Sequence, residues 1–276
     1  MRILKQFFDF YLNSSIHVAL AVCSLSWIVL IKHDVFYNEK VLLFTFFATI
    51  TGYNFVKYFG IAKFHHRSLT NALKVIQIFS FFCFLLLCYY ALQLQIKTLI
   101  FIVVFGIITF LYAIPFIPKK MYLDHQQNLR DVSGLKVYVI ALVWAGVTVF
   151  LPLIEANISF NADVYFLAFQ HFIFVIVLML PFEIRDLKFD SLRLATIPQK
   201  IGVKQTKIIG LILLIIFFFT EFFKDELPQN EIISTLLVAV ITAFFLMLAN
   251  KKKSYYYSSF WVESIPIIWL LIIMLH

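Results

Sequence analysis

VYFLAFQHFIFVIVLMLPF (164–182), followed at once by EIRDLKFDSLR (183–193), decides the fold. A helix rises about 1.5 Å per residue, so the first stretch is about 28 Å long, the thickness of a bilayer's hydrocarbon core. The second stretch packs six charged side chains into eleven residues and ends the span. Eight further apolar runs flank it: 16–31, 41–58, 75–94, 98–117, 137–154, 208–223, 232–248 and 260–275. With 62% hydrophobic and only 14% charged residues, this chain has more apolar surface than a soluble domain of 276 residues can bury. The reading is an all-α membrane protein of about nine transmembrane helices, with residues 1–276 forming one polytopic domain. Runs three and four are separated only by Gln95, Ile96 and Lys97, which predicts two antiparallel neighbours.

The basic residues orient the chain. Of 23 Lys and Arg, 19 fall on the N-terminus and on the loops after spans two, four, six and eight. Only Lys32, Lys40, Lys97 and Lys224 lie on the other side. The positive-inside rule then expects a cytoplasmic N-terminus and a C-terminus on the opposite side; the membrane is expected to be a bacterial inner membrane. That bias also accounts for the net charge of +8, with some attraction to anionic lipid headgroups and no need of a nucleic acid. Cys23, Cys83 and Cys88 all sit in apolar runs and read as inert thiols. Cys23 follows Leu20-Ala21-Val22, but Val22 is too bulky for a lipoprotein cleavage box, so the first helix is expected to be retained. The adjacent His65 and His66 read as headgroup-level polar residues, and Lys251–Lys253 with Tyr255–Tyr257 as an interfacial anchor.

Glu183, Asp186 and Asp190 stand at i, i+3 and i+7, on one face of a helix. Three carboxylates there repel unless a cation sits among them. Mg²⁺ with oxygen ligands is one solution; pairing with Arg185, Lys188 and Arg193 on a solvated helix is the other.

This segment resembles the second aspartate-rich motif of the UbiA superfamily of intramembrane prenyltransferases. The match continues into Thr196-Ile197-Pro198 and Ile201-Gly202, with Tyr112, Pro115, Leu129-Arg130 and Lys136 also familiar. The resemblance implies a helical bundle around a central cavity, and transfer of a prenyl group from a prenyl diphosphate to an aromatic or lipid acceptor. It assigns Glu183, Asp186 and Asp190 to Mg²⁺ and gives Asp186, Asp190 and Asn54 the catalytic roles. It places Lys63, Arg67, Arg130, Lys136 and Arg193 on the diphosphate, with Lys119 and Lys120 near the mouth.

The first acidic motif departs from that pattern. Its place at the end of the second span reads NFVKYFGIA (54–62). Phe55, Tyr58 and Ala62 stand where carboxylates belong, while Lys57 adds a positive charge that does not bridge phosphate oxygens as Mg²⁺ does. Three functions are compatible with this pattern: an active prenyltransferase, a non-catalytic isoprenoid-binding protein, and a transporter or structural subunit of a membrane complex. The near absence of ionisable residues inside the spans, apart from His17, His171 and Glu221, weighs against transport.

Overall fold

The computed structural model describes the backbone of residues 2–64, 71–113, 134–188 and 196–275, which is helical apart from short connections and contains no strand among the described residues. The helices are α1 (Arg2–Asn13), α2 (Ile16–Lys32), α3 (Glu39–Phe64), α4 (Asn71–Ala91), α5 (Ile96–Ala113), α6 (Leu135–Ala145) and α7 (Leu151–Glu155), then α8 (Ala162–Asp186), α9 (Ile197–Phe219), α10 (Gln229–Leu248) and α11 (Ile265–Leu275). A π-helical turn, Gly146–Phe150, joins α6 to α7, and another, Tyr257–Val262, leads towards α11. Over its described residues each of the nine apolar runs coincides with a helical segment, apart from the turns at 92–94 and 263–264. Six of the described helical segments are long and apolar enough to cross a membrane, and α1 with α2, bent by 53°, adds a seventh if the bent pair is counted as one span. α5 is a shorter apolar helix and α3 carries more polar residues, so nine is an approximate count of spans. The chain is an integral membrane protein.

α8 occupies the centre. Its apolar window is 72% buried, against 11% for α4, whose Ile78, Phe81, Phe82, Leu85 and Tyr89 are exposed along one flank, as for a helix facing lipid. Phe174 of α8 meets Phe217 of α9 and Trp269 of α11 at ring-centroid distances of 5.5 and 5.3 Å. Gly210 of α9 lets Leu180 and Leu246 close over its backbone; an added Cβ would lie 2.4 Å from one Leu246 methyl.

One expectation is corrected. α4 and α5 do not pack as neighbours beyond their tight turn. The turn is pinned to the end of α7, where the Gln95 amide and the Thr98 hydroxyl donate to Glu155 Oε2 at 3.1 and 2.6 Å. From there α4 packs on α3 while α5 packs on α6 and α7, and a cavity opens between them. A short loop fixes where two helices start; the side chains each meets fix where it goes.

The residues TIPQKIG (196–202) have a local explanation. Gln199 accepts the Thr196 amide at 3.0 Å in capping-box fashion, and Pro198 sits in the first turn, where no intrahelical N–H is needed. Gly202 takes φ 81° and ψ 160°, a region that is nearly glycine-only. Gly202→Ala is therefore expected to lower stability by about 1–3 kcal/mol, read by thermal unfolding in detergent, although open space surrounds the site.

A buried ionic cluster ties the ends of α2, α9 and α10 together. Glu221 Oε1 lies 3.3 Å from Lys32 and 2.7 Å from Lys224, Lys32 reaches Glu231 at 2.8 Å, and Gln170 and Thr235 donate to Glu221 Oε2.

Candidate functional site

The end of α3 builds one side of the site. In a helix, Asn54, Lys57 and Tyr58 share a face by their i, i+3, i+4 spacing. That face meets the elbow between α1 and α2, where Ser15 is held at φ 65°. The Asn54 amide donates to the Ser14 carbonyl at 3.0 Å and to Ser80 Oγ at 2.8 Å, and its oxygen accepts from Ser15 Oγ at 2.8 Å. Lys57 Nζ donates to Ser15 Oγ at 2.9 Å, and the Tyr58 hydroxyl to the Asn13 carbonyl at 2.9 Å. Where the resemblance led us to look for carboxylates, the chain has an interhelical latch. Asn54→Leu strands the Ser14 carbonyl and the Ser15 hydroxyl proton in a buried place, so a loss of about 2–4 kcal/mol is expected, measured as unfolding in detergent.

The cavity between α3, α4, α5, α6, α8 and residues 255–266 has a volume of about 970 Å³. Its walls are apolar and aromatic, among them Phe84, Phe101, Phe105, Val147 and Trp144, the last donating from Nε1 to the Tyr53 hydroxyl at 2.8 Å. Among the described lining residues the charged ones are Lys57, Lys136, Arg185 and Glu263. They come from the last part of α3, the first turn of α6, the last turn of α8 and the residue after the second π turn, and so gather at one end of the bundle.

Arg185 is held on both edges. Nε and Nη2 donate to Asp186 at 2.7 and 3.0 Å, Nη1 reaches Ser259 Oγ at 3.3 Å and the Tyr255 carbonyl at 3.4 Å, and the guanidinium lies over the rings of Phe182 and Tyr255. Burial pushes the Tyr255 hydroxyl above its ordinary pKa, so it remains a donor, to Asn13 Oδ1 at 3.2 Å. Lys136 has no ion-pair partner among the described residues. Two carboxylates, Asp186 and Glu263, thus accompany three side-chain cations at this end.

The residues expected in the site divide as follows. Lys136 lines the cavity. Asn54 is adjacent but turned into the latch. Glu183 is buried, and its Oε2 accepts the Ile197 amide at 3.2 Å, at the start of α9. Asp186 pairs with Arg185, the pairing that a solvated acid–base helix would show. Asp190, Arg67, Arg130 and Arg193 lie outside the described residues, as do Lys119, Lys120 and the side chain of Lys63. No group of three His, Cys, Asp or Glu side chains suited to a metal ion occurs among the described residues. With Glu183 committed to α9 and Asp186 to Arg185, the described donor set does not fit a Mg²⁺ site. Arg185 and Glu263 are the site residues that motif matching passed over. Their signal was position: each is a charge at the edge of a long apolar helix.

Together these features define a class: an intramembrane helical bundle enclosing an apolar cavity with a basic end. The fold itself is the UbiA fold. The structure is similar to the apo structure of a UbiA homolog from Aeropyrum pernix K1, with a TM-score of 0.66 and 15% identity over 94% of this chain and 98% of that one. It is also similar to a structure described under the biosynthesis of digeranylgeranylglyceryl phosphate synthase in membranes, with a TM-score of 0.59 and 16% identity over 100% of this chain and 98% of the other. No family model and no curated protein matches the sequence.

Proposed function

We propose that the protein is an intramembrane prenyltransferase of the UbiA type, taking a prenyl diphosphate as donor and an aromatic or lipid molecule as acceptor. The observation that carries this reading is the apolar cavity whose one end gathers Lys57, Lys136 and Arg185. From Lys136 to Leu151 the cavity wall follows about 20 Å of helix, long enough for a multi-unit isoprenoid tail. The tail lies among Phe84, Phe101 and Phe105, and the diphosphate meets the cations. When the carbon–oxygen bond breaks, its electron pair leaves with the diphosphate, whose charge the Lys and Arg groups stabilise. The acceptor's nucleophile forms the new bond to the allylic carbon, over which aromatic faces spread favourable potential, and its proton passes to Glu263. The basic end faces the cytoplasm of a bacterial inner membrane, in keeping with the positive-inside bias, and the C-terminus lies opposite.

The test is to incubate the protein in nanodiscs with radiolabelled geranylgeranyl diphosphate and a total lipid extract. Transfer gives a labelled lipid product and free diphosphate in equal amounts. A second reading, an isoprenoid-binding protein without turnover, is favoured by the engagement of Glu183 and Asp186 in structural contacts. It shows as saturable binding with no diphosphate released. Absence of both binding and release contradicts the proposal.

A further inference from the structure

The basic end of the cavity presents side-chain cations where the resemblance calls for metal ions. Phe55 and Tyr58 occupy two of the three positions for carboxylates on α3, Phe55 lining the cavity and Tyr58 holding the α1–α2 elbow. Lys57, in the same turn, lines the cavity with its ammonium group steadied by Ser15. Across from it, Asp186 takes two N–H bonds from Arg185, which leaves that carboxylate acting as a brace. Glu263 is the one carboxylate among the described lining residues. The three cations outnumber the carboxylates of Glu263 and Asp186, so a divalent cation placed here meets a net positive charge within apolar walls, where repulsion is screened less than in water. An anion placed here is attracted by that net charge.

We infer that this protein holds the diphosphate of its prenyl ligand without a divalent cation, on Lys57, Lys136 and Arg185; the inference rests on the prenyl-diphosphate reading above. Arg185 suits the role because its fork is already oriented, and Nη1 makes only long contacts, 3.3 and 3.4 Å, that a phosphate oxygen can replace. Lys57 and Lys136 act as point charges on movable stems and follow the diphosphate oxygens.

The experiment measures binding of radiolabelled geranylgeranyl diphosphate to the full-length protein in nanodiscs of zwitterionic lipid, once with Mg²⁺ and once with EDTA. The two dissociation constants are expected to agree within about threefold. Lys57→Met is expected to weaken binding in EDTA by about ten- to a hundred-fold, and Lys57→Arg to retain most of it. The Met variant keeps the latch, since Ser15 still donates to Asn54, and thermal unfolding verifies this. Binding that disappears on chelation, or that survives Lys57→Met unchanged, overturns the inference and leaves the prenyl-diphosphate reading standing. No binding in either condition removes that reading and the inference with it.

Discussion

Replacing Glu221 with leucine is expected to destabilise the protein by about 3–5 kcal/mol, the cost of removing one partner from a buried ion pair. The side chains of Glu221, Lys32 and Lys224 are 2, 3 and 8% exposed, so the ammonium groups left behind cannot recover their hydration without distorting the helix ends. Lys32 retains Glu231 at 2.8 Å, and Lys224 loses the partner it had at 2.7 Å. Gln170 and Thr235 lose their acceptor as well. Replacing the cluster together, Lys32→Met, Glu221→Leu, Lys224→Met and Glu231→Gln, is expected to restore most of the loss, because no charge is then left without its partner. Unfolding in detergent followed by circular dichroism separates the cases. A single variant as stable as the parent would show that the cluster is hydrated in the membrane.

The second large effect is on binding. Arg185→Met is expected to weaken prenyl diphosphate binding by about a hundred-fold. A charge-assisted hydrogen bond contributes about 1.5–3 kcal/mol, and each 1.4 kcal/mol is tenfold in affinity. Two effects act in the same direction. The guanidinium is lost, and Asp186, formerly neutralised at 2.7 Å, becomes a bare negative charge beside the ligand. The loss is expected to exceed that from Lys57→Met, which breaks no ion pair with a carboxylate. Equal losses in the two variants would mean that Asp186 does not feel the ligand.

Much of the fold could be read from periodicity and charge. The described parts of the apolar runs are helical almost throughout, because a backbone in hydrocarbon has few other ways to satisfy its N–H and C=O groups. The Arg185–Asp186 pair was one of two readings of the acidic segment, and spacing alone could not choose between them. Contacts between distant segments were not legible. Lys32 and Lys224 looked like loop charges on the far side, yet both are buried because three helix ends converge on Glu221. The divergence of α4 and α5 depends on Glu155, 60 residues from Gln95. In α1, Lys5, Gln6, Asp9 and Asn13 mark a polar face at helical spacing, a sign of an interfacial helix. Phe8 joins its apolar face to Phe260 at 5.1 Å, and α1 meets α2 at 53°.

Of the four charged residues among the described ones that line the cavity, the resemblance assigned only Lys136 a place on the ligand. Lys136 was anticipated from the resemblance and lines the cavity. Asn54 was anticipated beside the diphosphate; its bonds to Ser14, Ser15 and Ser80 were not legible, because these come from segments whose approach no local pattern reveals.

The central claim, that an isoprenoid tail fills the cavity with its diphosphate at the basic end, is tested most directly by photocrosslinking. A prenyl diphosphate bearing a diazirine at the far end of its tail would be irradiated with the protein in nanodiscs, and the labelled peptides mapped by mass spectrometry. The account predicts labelling around Phe101, Val147 and Leu151, the part of the cavity farthest from Lys57 and Lys136, suppressed by excess unlabelled ligand. Labelling spread over the exposed flank of α4 at Ile78, Phe81 and Leu85, and unaffected by competitor, would contradict it.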